Sequence, residues 1–135
     1  MIVLSNTSEQ VVPVGQALTF NTVVHKSGCA EGYRTGTGAV KLRANNAIYE
    51  LSFTANVTGV TATNPVQLSM AISGATLPET TMIYTPAAAN AVGNVGSSTL
   101  VKNYCGDYDR ITIVNTGADP ITVSPNCCLF IKRIA

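Results

Sequence analysis

The segment "AIYELSFTANV", residues 47–57, alternates without a break. Tyr49, Leu51, Phe53, Ala55 and Val57 take every second position, with Glu50, Ser52, Thr54 and Asn56 between them. A period of two puts one set on each face of an extended chain, so the stretch is a half-buried β-strand and not an amphipathic helix. "PVQLSMAIS" repeats the form: Val66, Leu68, Met70 and Ile72 share one face, Gln67, Ser69, Ala71 and Ser73 the other. Shorter runs extend it, with Leu18, Phe20 and Thr22 in one, Val40 and Leu42 in another, Ile111 and Ile113 in a third. Strands with one apolar face each need an opposing layer to cover it.

Turn-rich clusters separate these runs: "SGCAEGYRTGTG", "RANNA", "SGATLPE", "NTGADP" and "SPN". Their Gly, Pro, Asn and Asp residues supply the dihedral angles and local hydrogen bonds that reverse a chain. "NTGADP" joins Arg110–Val114 to Ile121–Ser124 and reads as a hairpin connection. "TPAAANAVG" is the one helix-compatible piece and suits a loop equally well. The ending, "SPNCCLFIKRIA", is a turn followed by a last strand from Cys127 to Ile134. So apolar a terminus is costly to leave in water, which places that strand in the middle of a sheet. The expectation is an all-β sandwich or barrel of about eight to ten short antiparallel strands. It spans 1–135 as one domain, with residues 1–12 as either an N-terminal arm or the first strand.

Charged residues make up only 11% of the 135, against about 25% in an ordinary soluble chain. Hydrophobic residues reach 46%. A monomer so composed would expose much weakly polar surface, so the composition favours burial against further copies of itself. The net charge is +1 and the eight basic residues are scattered along the sequence, which gives no footprint for nucleic acid or an anionic membrane. No stretch approaches the ~20 apolar residues of a membrane-spanning helix. "MIVLSNTSEQ" lacks the basic start and apolar run of a signal peptide, so synthesis in the cytoplasm without cleavage is expected.

A Tyr49-x-Leu51-x-Phe53 strand, its alternating partner from Val66 to Ile72, a Gly/Ala/Ser-rich middle and a terminal "LFIKRIA" strand together resemble the jelly roll of tumour necrosis factor and complement-head domains. The pattern is most similar to small virion proteins of tailed bacteriophages and to the tips of collagen-like spore-surface proteins. Ala47 stands where the complement-head signature has glycine, and Leu51 where it has an aromatic residue. The resemblance implies a jelly-roll β-sandwich that assembles as a homotrimer, with Tyr49, Leu51, Phe53, Leu129 and Ile131 on core or trimer strands. It implies further a structural role without enzymatic activity or cofactor: capsid decoration or head fibre on a virion surface, with the major capsid protein as partner. The alternative is a module that binds glycans or a receptor, on a spore surface or as a phage adhesin. With neither stalk nor signal in view, the chain is expected to be a complete small protein made in the bacterial host cytoplasm.

Chemically distinctive residues are few. Neighbouring strand residues point to opposite faces, so Cys127 and Cys128 are read as two small residues facing different layers and not as one metal site. Cys29 and Cys105 each adjoin a glycine in a loop, and are the candidate disulfide, closing a loop of about 75 residues worth roughly 4 kcal/mol in the chain-entropy model. A reducing cytoplasm opposes that bridge. His25 is the sole histidine and could join Cys29 and Cys105 around a metal only without the usual ligand spacing. Asp107 and Asp109 in "CGDYDR" are the candidate carboxylate pair for calcium, against the commoner outcome of a solvated loop end paired with Arg110 or Lys102. No nucleophile–base–acid set and no "G-x-S-x-G" elbow is present. "RTGTGAV" carries glycines without a phosphate-loop lysine and reads as a turn. Tyr33, Tyr104 and Tyr108 flank the glycine loops as a candidate partner or sugar-stacking surface, or else as tyrosines buried between subunits.

Overall fold

The computed structural model describes residues 1–103 and 109–135. In chain order its strands begin with β1 (Ile2–Ser5), β2 (Gln10–Val12), β3 (Thr22–Lys26), β4 (Glu31–Gly32), β5 (Val40–Leu42) and β6 (Ala47–Gly59). There follow β7 (Val66–Ile72), β8 (Ala75–Thr76), a 3-10 turn at Pro78–Thr80, β9 (Met82–Tyr84), β10 (Val92–Asn103), β11 (Arg110–Asn115), β12 (Ile121–Val123) and β13 (Cys128–Arg133). They form two wholly antiparallel sheets. The first runs β2-β12-β6-β13-β1-β3 with β10 also paired to β6; the second runs β4-β5-β11-β7-β8 with β9 also paired to β7. This is the all-β sandwich that the alternation and spacing predict, in the jelly-roll form that the resemblance implies.

The longest alternating segment becomes the strand on which the first sheet is built. β10 pairs with β6 from Ala47 to Thr58, while β13 and β12 share its other side. Tyr49, Leu51 and Phe53 are fully buried, and so are Leu129 and Ile131, which lie opposite Phe53 and Leu51. Val40, Leu42, Met70, Ile111 and Ile113 face them from the second sheet, also fully buried. Each such side chain contributes about 1.5–3 kcal/mol by leaving water. The terminal strand is central, between β6 and β1, and its cysteines divide as alternation requires: Cys127 is buried and Cys128 half-buried.

Two segments depart from the sequence reading. Leu18, Phe20 and Thr22 do not share one strand, since β3 starts only at Thr22. Ala17 bridges to Val114 in the second sheet, whereas Thr22 pairs with Ser5 in the first, so the chain changes sheets between them. A crossing segment belongs to neither ladder, although Leu18 and Phe20 remain fully buried. Asn6 stands in for the missing ladder: its side chain donates to the Thr19 carbonyl at 2.7 Å and accepts from Asn21 N–H at 2.8 Å. The second departure is β10, whose Gly, Ser and Thr positions hide its alternation from a hydrophobicity reading. "TPAAANAVG" forms no helix, and the chain turns at Asn90 (φ 64°) directly into β10.

Asn115 ends β11 and is buried. Its Nδ2 donates to the carbonyls of Val12 (3.0 Å) and Asp119 (2.9 Å), and its Oδ1 accepts from Gly117 N–H (3.0 Å). One side chain thus fixes the β11–β12 connection and ties it to β2. Asn115→Ala leaves these main-chain groups without partners and should lower stability by about 2 kcal/mol. Urea unfolding should show the loss as a lower midpoint at unchanged slope.

Candidate functional site

β4, β5 and β11 lie side by side at one edge of the second sheet. Their register sets Gly32 opposite Lys41, and Lys41 opposite Arg110. Val40, Leu42 and Ile111 are fully buried, so the alternation turns Lys41 and Arg110 outward onto one surface. Arg43 lies beyond Leu42 on the same side and sweeps back over β4. A Cβ built on Gly32 would come within 2.5 Å of the Arg43 Nε and Nη2 atoms. The missing side chain at Gly32 is what seats the Arg43 guanidinium.

The corner that carries Arg43 hangs from buried polar groups of the first sheet. The Tyr49 hydroxyl donates to the Ala30 carbonyl at 2.6 Å and accepts from Ala44 N–H at 3.0 Å. That same carbonyl accepts from Arg43 N–H at 2.9 Å. Asn103 Nδ2 donates to the carbonyls of Leu42 (3.0 Å) and Ala44 (2.9 Å). Burial holds the Tyr49 phenol above its ordinary 10.0, so it stays protonated as the donor this corner needs.

The other wall is the "YRTGTG" turn. Gly36 takes φ 88°, which favours glycine, and its N–H donates to the Phe20 carbonyl at 2.8 Å. Thr37 Oγ1 donates to the Arg34 carbonyl at 2.7 Å. Tyr33 packs edge-on against Phe20 with ring centroids 6.5 Å apart. Its hydroxyl points inward, among the carbonyls of Phe20 and Thr37 and the N–H of Phe20, and burial raises its pKa. Tyr33 therefore offers the surface its ring but not its hydroxyl.

Between these walls lies a cavity of about 300 Å³ lined by Arg34, Lys41, Arg43 and Arg110, together with Tyr33 and Thr37. Half of the eight basic residues meet here, three from residues 34–43 and the fourth from β11. Among the described residues no carboxylate pairs with any of the four, since the ion pair present joins Glu31 to the amine of Met1 at 2.9 Å. Asp109 is turned away: its Oδ1 accepts from Ser73 Oγ at 3.2 Å, in place of the anticipated pairing with Arg110. Like charges directly opposite on neighbouring strands repel, so the Lys41–Arg110 register weakens the bare sheet edge.

Tyr33 is the sequence-singled residue that this cavity includes. Tyr104, Tyr108, Cys105 and Asp107 lie outside the described residues, and with them the Cys29–Cys105 bridge and the Asp107–Asp109 pair. Cys29 is exposed, and His25 is exposed on β3 opposite Val3. The four cations were missed because Arg34 lies in a turn, Lys41 and Arg43 at outward positions of one run, and Arg110 in a much later run. Lys41 between Val40 and Leu42, and Arg110 beside Ile111, announce a direction, but only strand register announces that they adjoin.

The thiols differ sharply in setting. Burial pushes Cys127 above the usual thiol range, and Asn6 Nδ2 is its polar neighbour at 3.8 Å. Ellman's reagent at pH 8 should titrate Cys29 rapidly and Cys127 only after unfolding in guanidinium. Comparison of the wild type with Cys29→Ser and Cys127→Ser variants would assign the phases.

A scan against protein-family models finds no match, and a search of curated proteins likewise finds none. Solved structures do match. The Eiger tumour necrosis factor of S. frugiperda superposes with a TM-score of 0.75 at 12% identity, over 99% of this chain and 91% of that one. Murine APRIL at pH 5.0 gives 0.66 at 18% identity, over 98% and 97%. The globular domain of zebrafish complement 1qA gives 0.65 at 12% identity, over 96% and 94%. The chain therefore has the jelly-roll fold shared by tumour necrosis factor and complement-head domains, from one end of the described structure to the other.

Proposed function

We propose that the chain is a non-enzymatic structural module that works as a homotrimer. The observation that carries this is the outward face of the first sheet. Val3, Phe130, Ser52 and Ser98 lie in register across β1, β13, β6 and β10. The next row is Cys128, Thr54 and Gly96. Neither row holds a charge, and apart from Phe130 and Val3 the side chains are small, so another layer could approach closely. Among the described residues of β6, β10 and β13 on this face, charge enters at the Lys132, Glu50 and Leu100 row and at neighbouring Lys102. At the rim, β10 is an edge strand of twelve residues with Val92 64% and Leu100 58% exposed. Long exposed edges of this kind are normally covered. A closed ring of identical chains covers both face and edge, and a trimer is the state that the tumour necrosis factor resemblance implies.

The proposed setting is the surface of a tailed-phage virion, as capsid decoration or head fibre on the major capsid protein, after synthesis in the bacterial cytoplasm. Supporting it are the resemblance read from the sequence to small virion proteins and a low charge content that favours assembly. A second reading, a surface module that binds a carbohydrate or receptor, is favoured by the cationic cavity.

Sedimentation equilibrium should give a mass three times the 14.0 kDa of one chain. Ser52→Arg, which sets a charge in the centre of the uncharged face, should give a folded monomer with an unchanged far-ultraviolet spectrum. A wild-type monomer at micromolar concentration would overturn the trimer. Virions purified from the encoding host that lack the chain would overturn the virion setting alone.

A further inference from the structure

The cavity formed by β4, β5 and β11 has an unusual chemical balance. Arg34, Lys41, Arg43 and Arg110 reach it, and the neutral side-chain groups beside them are already committed: the Tyr33 hydroxyl is turned into the fold, and Thr37 Oγ1 donates to the Arg34 carbonyl. The nearest described carboxylates are committed too, Glu31 to the Met1 amine and Asp109 to Ser73. The described side chains of the wall thus recognise by positive charge. A neutral sugar, whose hydroxyls need acceptors as well as donors, finds little here. Guanidinium forks suit oxyanions that accept two parallel N–H bonds, and three of the four cations are arginines.

Charge and size narrow the class. Four cations in one cavity favour a ligand group with more than one negative charge, and a phosphate monoester carries about −1.5 to −2 at pH 7. The 300 Å³ volume is far larger than a bare ion and lies at the lower end of small-molecule sites. We infer that this cavity is a binding site for the phosphate monoester of a small organic molecule, gripped by Lys41, Arg43 and Arg110 with Arg34 closing from the turn. Such a ligand also relieves the repulsion built into the Lys41–Arg110 register. The inference rests on the binding-module reading and not on the trimer, because every residue comes from one chain.

Isothermal titration of the full chain at low ionic strength tests it, with glucose 6-phosphate as probe and glucose and glucuronate as neutral and singly charged comparisons. Glucose 6-phosphate should bind at least about tenfold more tightly than glucuronate, and glucose should not bind. Lys41→Gln combined with Arg110→Gln should weaken binding by about tenfold or more, as loss of two charge-assisted contacts requires. Gly32→Ala should weaken it several-fold with the melting temperature almost unchanged, because the three atoms nearest the added methyl all belong to the movable end of Arg43. Lys26→Gln, on β3 in the first sheet, should leave it intact. Absence of binding by glucose 6-phosphate, equal binding of glucose or glucuronate, or indifference to the Lys41 and Arg110 substitutions would overturn the site. A trimer that fails to bind overturns this inference alone; a monomer that binds overturns only the assembly.

Discussion

Register along β6 is the constraint on which the remaining structure depends. Its residues are held on one side by β10 and on the other by β13 and β12, so three pairings share one alternation. A slip of one residue would turn Tyr49, Leu51 and Phe53 outward and bring Glu50, Ser52 and Thr54 into the core. The cost would be several large side chains exposed at about 1.5–3 kcal/mol each, besides a carboxylate buried without a partner. Tyr49 adds a directional lock, because its hydroxyl reaches the segment before β4 and the corner after β5. Through that bond the register of the first sheet also positions Arg43 on the second.

The two outward faces of the sandwich are built differently although both follow the same alternation. On the first sheet the central outward positions hold Ser52, Thr54, Gly96, Ser98, Val3 and Phe130, an uncharged surface. On the second sheet, at the β4–β5–β11 edge, the outward positions hold cations. A chain with only 11% charged residues gathers half its bases at that edge, while on the first sheet Lys102 and Lys132 sit to one side of the uncharged rows. Burial of a charge against a neighbouring subunit is costly, whereas burial of Ser, Thr and Val is not. The separation of the two surfaces follows from that difference.

Much of this architecture is legible in the sequence, because hydrophobic alternation acts directly on burial. Tyr49, Leu51 and Phe53 announce β6, Val66 to Ile72 announce β7, and the apolar ending announces that β13 is central. β10 is not legible in that way, since Gly93, Gly96, Ser97 and Ser98 carry no hydrophobic signal and the strand is stabilised by main-chain pairing to β6. Nor is the change of sheet between Ala17 and Thr22, where Leu18 and Phe20 keep a strand-like pattern without strand pairing. The cationic cavity was illegible for a deeper reason. Arg34, Lys41, Arg43 and Arg110 come from a turn, a strand, a corner and a later strand, and the contact between Lys41 and Arg110 spans a sequence distance that only the jelly-roll topology closes.

Gly32 shows how such a site arises at small structural cost. In "AEGY" it looks like one more turn glycine, yet it is a buried strand residue without the positive φ that would demand glycine for conformational reasons. Its value is steric: the Arg43 guanidinium occupies the volume a side chain would fill. With that space open, the arginine that follows β5 folds back over β4, beside the strand position that pairs with Lys41. One missing side chain therefore fixes where the Arg43 guanidinium lies along the edge that also carries Lys41.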